Sequence, residues 1–392
     1  MKTRRGACYS SCRAAAGEAP EAPRRKRRRT AAAEAGSSSP AATAGAPARC
    51  GGGLGDMFEE LPDDLVVSIL RDVASSAGSP ADLAGAMLTC KRFRELGQSK
   101  VVLSRASPRC LAVRAKSWSD DAHRFLQRCA DAGNLEACYL LGMIRFYCLG
   151  SRGSGAALMA AAAVGGHREA LYSLAVIQFN GSGGSKDDRD LRAGAALCAR
   201  AASLGHVDAL RELGHCLQDG YGVRRSLLDG RRLLIQANAR ELASLTAAGG
   251  GSVKAQRRKH SCLLSDFGCR AAAAGEAHAA NRFLVDWFAT RPLVAGGTGG
   301  GGEVAGMTEE EGGGGGALRM CSQGTCGRPE TRRHEFRRCS VCGVVNYCSR
   351  ACQALHWKMA HKAECTPMDR WVDAGAGDAQ AINVAAVAAP AP

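Results

Sequence analysis

Aromatic residues are scarce in this chain: Phe, Tyr and Trp together make up 5% of 392 residues. So few large rings argue against one thick hydrophobic core and favour thin helical layers, because the 46% apolar fraction comes largely from Ala. Nowhere does the sequence run for the roughly 18 apolar residues that would suggest a membrane span; the longest candidate, 156–164, is short, Ala-dominated and flanked by glycines. The first thirty residues are basic and lack the apolar stretch of a secretory signal. The 19 cysteines are therefore expected to be reduced thiols of a soluble intracellular protein and not a disulfide scaffold.

What is abundant is glycine and positive charge. The 49 Gly far exceed ordinary usage and mark long stretches without a core. Residues 1–55 are Ala, Gly, Ser, Pro and Arg with almost no large apolar side chain, too little to offset the entropy of ordering, so a disordered basic arm is expected. Of the formal +15, a net of +7 falls in residues 1–56, concentrated in Arg24, Arg25, Lys26, Arg27, Arg28 and Arg29. This block reads as a nuclear-import signal; the alternative is a solvated tail. A nuclear location is expected, with the cytoplasm also open. Phosphate attraction through such a block is salt-sensitive and carries no sequence preference, so specific nucleic-acid binding is not expected.

From Asp56 the composition changes. Pro62 suits a first helical turn, Asp63 and Asp64 suit the positive end of the helix dipole, and Leu65, Ile69, Leu70 and Val73 form an apolar stripe. A second helix is predicted from Asp82 to Leu96, with Leu83, Met87, Leu88 and Phe93 available to pack on the first. Between residues 106 and 247 the text repeats: Gly133, Gly166 and Gly205 each precede an Ala by four residues and a Leu-rich segment beyond it. Gly in the turn and Ala where helices touch, at a period of this size, mark stacked helix pairs in a solenoid; a bland Ala-rich bundle is the alternative. Residues 248–316 read as a Gly-rich linker with one helix at 278–288 docked on the solenoid, and 369–392 as a disordered tail.

Residues 317–368 hold the strongest signal. Cys321 and Cys326, Cys339 and Cys342, Cys348 and Cys352, and His361 and Cys365 form four pairs. Zinc favours four soft ligands in a tetrahedron, and close pairs let one short turn offer two of them. Eight ligands imply two structural Zn²⁺ ions. The spacing of four in the last two pairs predicts both members on one helix face, with Ser349 as the cap and Gln353, Leu355 and Trp357 in the helix. His334 and His356 are surplus to two tetrahedra and are expected outside them. With every position filled by protein, no site is left for a reactive water.

Cys339-Ser340-Val341-Cys342, Asn346-Tyr347-Cys348-Ser349, His356-Trp357 and His361-Lys362-Ala363-Glu364-Cys365 resemble the MYND finger family. That resemblance implies interleaved sets, Cys321, Cys326, Cys348 and Cys352 on one ion and Cys339, Cys342, His361 and Cys365 on the other, with the five-residue step from Cys321 to Cys326 wider than the commonest family spacing. It also implies a finger that binds short, often proline-containing peptides. Leu61-Pro62-Asp63-Asp64-Leu65 with Ile69-Leu70, followed by Cys90-Lys91-Arg92-Phe93, resembles the F-box over residues 56–105. The resemblance implies docking on a Skp-type adaptor and a cullin-RING ligase core, with Leu61, Pro62, Leu65, Ile69 and Leu70 at or near the contact; a plain two-helix cap on the solenoid is the other reading. The repeats, with Asp219-Gly220-Tyr221-Gly222-Val223, resemble the Sel-one-like relatives of tetratricopeptide repeats, though only about three units are recognisable.

The expected fold is therefore mainly α: F-box helices, a solenoid of Sel-like helix pairs and a small two-zinc finger. The order of modules resembles a plant-type group of F-box proteins, which implies a ubiquitin-ligase adaptor whose repeats and finger bind target proteins. A nuclear zinc-finger scaffold or transcriptional co-regulator is the alternative. MYND fingers also accompany SET-domain methyltransferases, but no catalytic constellation is recognisable here, so an enzyme is not expected.

Overall fold

The computed structural model of the protein describes residues 60–247, 262–268, 277–291, 293 and 318–367. The basic arm with Arg24 to Arg29, most of the Gly-rich stretch 248–316 and the tail 369–392 lie outside the described residues.

Helix α1 runs Asp63–Ser76 after Pro62, whose φ of −57° already suits a helix start, with Asp63 and Asp64 in the first turn. The predicted apolar stripe is rotated. Val66, Leu70 and Ala74 are the buried residues of α1, whereas Leu65 and Ile69 remain 51% and 41% exposed. The predicted second helix is two helices, α2 (Pro80–Leu88) and α3 (Lys91–Gly97). They separate because Cys90 adopts extended backbone at φ −153° and its Sγ accepts the Phe93 N–H at 3.4 Å, opening a new helix. Leu83 packs inward as expected, but Leu88, at the end of α2, points to solvent. Arg92 in α3 donates to Asp63 Oδ1 from Nε at 2.8 Å and to the Leu61 carbonyl, tying the two conspicuous segments together. Two short helices, α4 (Lys100–Leu103) and α5 (Pro108–Leu111), lead into the repeats.

Three helix pairs follow: α6 (Asp120–Asp131) with α7 (Leu135–Tyr147), α8 (Arg152–Val164) with α9 (Arg168–Asn180), and α10 (Leu191–Ser203) with α11 (Val207–Asp219). A long α12 (Leu227–Ala247) packs on α11. Gly133, Gly166 and Gly205 turn the chain inside each pair at φ values of 86°, 86° and 88°, a region that disfavours any side chain. Between pairs, Gly155 lets α8 approach α7 so closely that an added Cβ would lie 2.6 Å from the Phe146 backbone nitrogen. The second helices are buried almost all round, Ala137 to Ile144 in α7 without a break, because other parts of the chain cover their concave side. One cover is α13 (Ala279–Thr290), the helix expected at 278–288. Its Phe283 meets Trp118 edge-on at 5.3 Å between ring centres.

The other cover is the finger. It contains an antiparallel pair, β1 (Arg337–Arg338) with β2 (Asn346–Tyr347), then α14 (Arg350–His356), a wide π turn over Trp357–His361 and α15 (Lys362–Glu364). Two details depart from the helical-face expectation. Cys348 precedes the cap Ser349, so only Cys352 of that pair is helical, and Cys365 follows the end of α15. Trp357 belongs to the π turn.

Candidate functional site

The finger's ligand atoms fall into two sets, Cys321, Cys326, Cys348 and Cys352, and Cys339, Cys342, His361 and Cys365, each with its atoms within 4.8 Å of one another. Sγ–Sγ separations are 3.6 Å for Cys326–Cys348, 3.6 Å for Cys348–Cys352 and 3.9 Å for Cys339–Cys365; Cys342 Sγ lies 3.6 Å from His361 Nε2. A tetrahedron with zinc–sulfur bonds of about 2.3 Å has edges of about 3.8 Å, and a sulfur–imidazole edge of about 3.6 Å. The donor chemistry and the spacing both fit zinc. These are the two interleaved sets that the family resemblance implied.

Local structure explains how the ligands meet. Cys339 follows β1 and Cys348 follows β2, so the antiparallel pair sets them at opposite ends of its short ladder, one in each set. Ser349 Oγ accepts the Cys352 N–H at 3.1 Å, orienting the turn that carries Cys348 and Cys352. His334 is exposed at φ 59° and joins neither set. His356 also stays outside, with its Nδ1 3.0 Å from the Tyr347 hydroxyl and its ring stacked on His361.

Sequence reasoning missed Arg328, a buried cation beside the four-cysteine set. Its Nη1 lies 3.5 Å from Cys326 Sγ, and its Nη2 donates to Ser173 Oγ at 2.8 Å. Sharing of hydrogen bonds with Cys321, Cys348 and Cys352 holds the Cys326 thiol well below its usual range, and the Arg328 charge adds to this. A four-thiolate zinc centre carries net negative charge, so a buried guanidinium is a fitting neighbour. The only signal in the sequence was a lone Arg two residues after a ligand.

Also missed was the seat of the finger on the solenoid. Glu212 Oε2 in α11 accepts the Ala351 N–H at 3.0 Å, so a solenoid carboxylate helps cap the finger's helix. Burial pushes the Glu212 carboxyl up, an effect opposed by the Ala351 hydrogen bond and by Arg350. Asn180 Nδ2 donates to the Cys348 carbonyl at 2.8 Å, and Lys358 Nζ to Glu241 Oε1 at 3.0 Å. Arg332 donates to the Asn180 and Gly181 carbonyls, and Ser182 to Glu335.

A second constellation runs along the repeats. His167 and His206 cap α9 and α11, their Nδ1 atoms accepting from Ala170 N at 3.2 Å and Ala209 N at 3.1 Å. His278 caps α13 in the same way through Ala280 N at 3.2 Å. Each ring therefore carries its proton on Nε2, which faces a carboxylate of the preceding repeat: His167 to Glu136 at 3.1 Å and His206 to Glu169 at 2.9 Å. Burial alone would raise both glutamates, but the imidazole hydrogen bonds outweigh it and hold each at about 2. Glu136, His167 and His278 also lie close enough to suggest a metal site. A metal there would need the proton of each ring on Nδ1, at the loss of the helix cap that Nδ1 makes with Ala170 or Ala280.

Of the residues expected at an adaptor contact, Pro62, Leu65 and Ile69 are exposed and Leu61 is half-buried. Leu70 is 1% exposed and packs into the core. The helical twist puts it beside Val66 and Ala74, on the face covered by the neighbouring helices.

The family matches agree with this architecture. Residues 321–365 match the MYND finger family and residues 111–194 the plant tetratrico peptide repeats. One F-box protein of Arabidopsis thaliana is 56% identical over 336 residues, 82% of this chain and 84% of the relative. A second from the same plant is 56% identical over 333 residues, 83% of this chain and 92% of the relative. Among solved structures, a Sel1 repeat protein from Oxalobacter formigenes is similar over 35% of this chain and 95% of its own, at 23% identity and a TM-score of 0.27.

Proposed function

Since this chain belongs to the plant F-box proteins that join helical repeats to a C-terminal MYND finger, we propose that it is a substrate-recognition adaptor of an SCF-type ubiquitin ligase. In this reading residues 56–105 bind a Skp-type adaptor and, through it, the cullin-RING core. Residues 106–247 and 317–368 present the surface that selects the target protein. Two structural zinc ions hold the finger, the arm with Arg24 to Arg29 directs nuclear import, and no residue of the chain acts as a catalyst.

The observation that carries the proposal is the exposure of Leu65 and Ile69 on α1, one turn apart, while Val66 and Leu70 behind them fill the core. Apolar side chains held outward by a packed helix suit a contact in which a few buried groups dominate affinity. Arg92, bound to Asp63 and the Leu61 carbonyl, keeps the start of that helix in place.

A pull-down of a Skp-type adaptor by the full-length protein tests this, with Leu65→Asp/Ile69→Asp as the disrupted variant. Retention by wild type and loss by the variant, with zinc content unchanged, is the expected result. A folded wild-type protein that captures no adaptor would overturn the ligase reading and leave a zinc-finger scaffold.

A further inference from the structure

The F-box helices and the first repeat leave a groove between them. It measures about 960 Å³ and runs between α2, α3 and α6, with Leu83, Met87, Leu88, Val113 and Phe125 among the residues that line it. Leu88 is 69% exposed, and Met87, Val113 and Phe125 are half-buried, so the apolar floor is open to solvent. Packing on either side holds it in place. Gly97 provides a seat for Met87, since an added Cβ there would lie 2.6 Å from Met87 Cγ. Gln98, the C-cap of α3, accepts from Arg128 Nη1 at 2.6 Å and ties α3 to α6. No residue of α1 lines the groove, which sets it apart from the outward-facing Leu65 and Ile69.

A single exposed Leu needs no explanation, but a continuous apolar surface rimmed by charge marks an interaction site. Here the rim has one sign. Arg94, Arg114 and Arg128 stand on it against one lining carboxylate, Asp121, and Asp121 Oδ1 is taken by Arg124 at 2.6 Å. Arg94 and Arg114 are exposed, and their guanidiniums make no hydrogen bond or ion pair among the described residues. Asp82, beside Leu83 in sequence, is occupied by the N–H groups of Gly78 and Ser79 at 2.7 and 3.0 Å. Donors are therefore in surplus around the groove, and what it lacks is an acceptor.

We propose that this groove receives an acidic amphipathic helix of the target protein, with Leu- or Met-like side chains on the floor and Asp or Glu beside Arg94 and Arg114. The lining lies on helices and their connections and not on a strand, so the incoming segment gains nothing by extending and is held through an apolar face. The volume leaves room for several large side chains. Carboxylates at the rim answer the two unpartnered guanidiniums and set the orientation of the bound segment. A nucleic acid would find the same cations but an aliphatic floor, on which Phe125 is the one aromatic ring. This inference rests on the adaptor reading, and it names the chemical class of the target's recognition segment.

The test uses full-length, zinc-loaded protein and a library of short helical peptides with Leu fixed at positions i, i+4 and i+7, the positions beside them made Glu, Gln or Lys, and the rest randomised. Wild type is expected to retain Glu peptides about five- to tenfold more than Gln peptides, the scale of two exposed ion pairs. Leu88→Asp should abolish retention, and Arg94→Glu/Arg114→Glu should turn the preference to Lys peptides. Zinc content and thermal unfolding of the same samples show that each variant is folded. No retention by wild type overturns the proposal. So does a preference for Glu that survives Arg94→Glu/Arg114→Glu, which would belong to the overall +15 of the chain. Displacement of the Glu peptides by a Skp-type adaptor would make the groove part of the adaptor contact and also overturn it. Retention that appears only once residues 303–311, with Glu309, Glu310 and Glu311, are deleted would do the same by giving the groove to the chain itself. The expected preferences in a protein that captures no Skp-type adaptor would leave the groove assignment standing and remove the ligase reading.

Discussion

Tyr172 in the solenoid donates its hydroxyl proton across 3.1 Å to Ser349 Oγ in the finger, the same oxygen that accepts the Cys352 N–H. A repeat side chain thus steadies the cap of the helix that presents a zinc ligand. The finger and the solenoid are one packed structure at this point, and a change in either is felt in the other.

Tyr172→Phe keeps the ring and removes the hydroxyl, so it should cost about 1 kcal/mol of stability. Ser349→Ala loses both the cap and the Tyr172 partner and should cost about 1–2 kcal/mol. Urea unfolding of the two single variants and the double variant forms a cycle. A clearly non-additive total is expected because the residues share one oxygen; strict additivity would show that the contact is not made.

Chelation should remove two zinc ions per chain and open more than the finger. Because the finger covers the concave side of α9 and α11, proteolysis in those helices should accelerate together with cleavage at 321–365. Metal content by mass spectrometry and the pattern of cleavage sites provide the readout. Cys352→Ser should lower the zinc content toward one ion per chain, whereas His334→Ala should leave it at two.

Acid should weaken the repeat ladder in a defined window. Glu136 and Glu169 are held at about 2 against an unfolded value of 4.5. Their folded pKa values are depressed, so their contribution is complete above pH 4.5 and is lost as pH falls from 4.5 toward 2. Glu169→Gln should lose about 1.5–3 kcal/mol at neutral pH, the range of a hydrogen bond to a charged group. Its thermal stability should also depend less on pH in that window than wild type, which calorimetry at stepped pH would show.

Leu70→Ala should cost about 2–5 kcal/mol by opening a cavity in the core, whereas Leu65→Ala should change stability by less than about 0.5 kcal/mol. Chemical denaturation distinguishes the two positions. Equal losses would mean that α1 is rotated from the orientation described.

Much of this protein is legible along the chain because the relevant physics is local. A pair of cysteines three to five residues apart, a Gly between two helical stretches and a Pro at a helix start each act through their immediate neighbours. The features that escaped reading are those in which spacing permits two answers. Periodicity marked α1 as apolar on one side, yet only packing decided that Val66, Leu70 and Ala74 face inward. Continuous helical composition from Asp82 to Leu96 concealed the break at Cys90, which depends on one backbone conformation and one sulfur contact.

By itself the sequence determined the helical repeat architecture, the eight candidate zinc ligands and the position of the finger at the C-terminal side of the repeats. These follow from composition, period and ligand spacing. Tertiary structure alone decided that Tyr172 and Glu212 meet the finger across 177 and 139 residues of chain. It also decided that Arg328 is buried beside the four-cysteine set and that Asp208 faces a cavity while Glu136 and Glu169 are paired. Such contacts depend on how separate elements stack, and neither the charge nor the spacing of a residue within its own segment reports what lies opposite it in space.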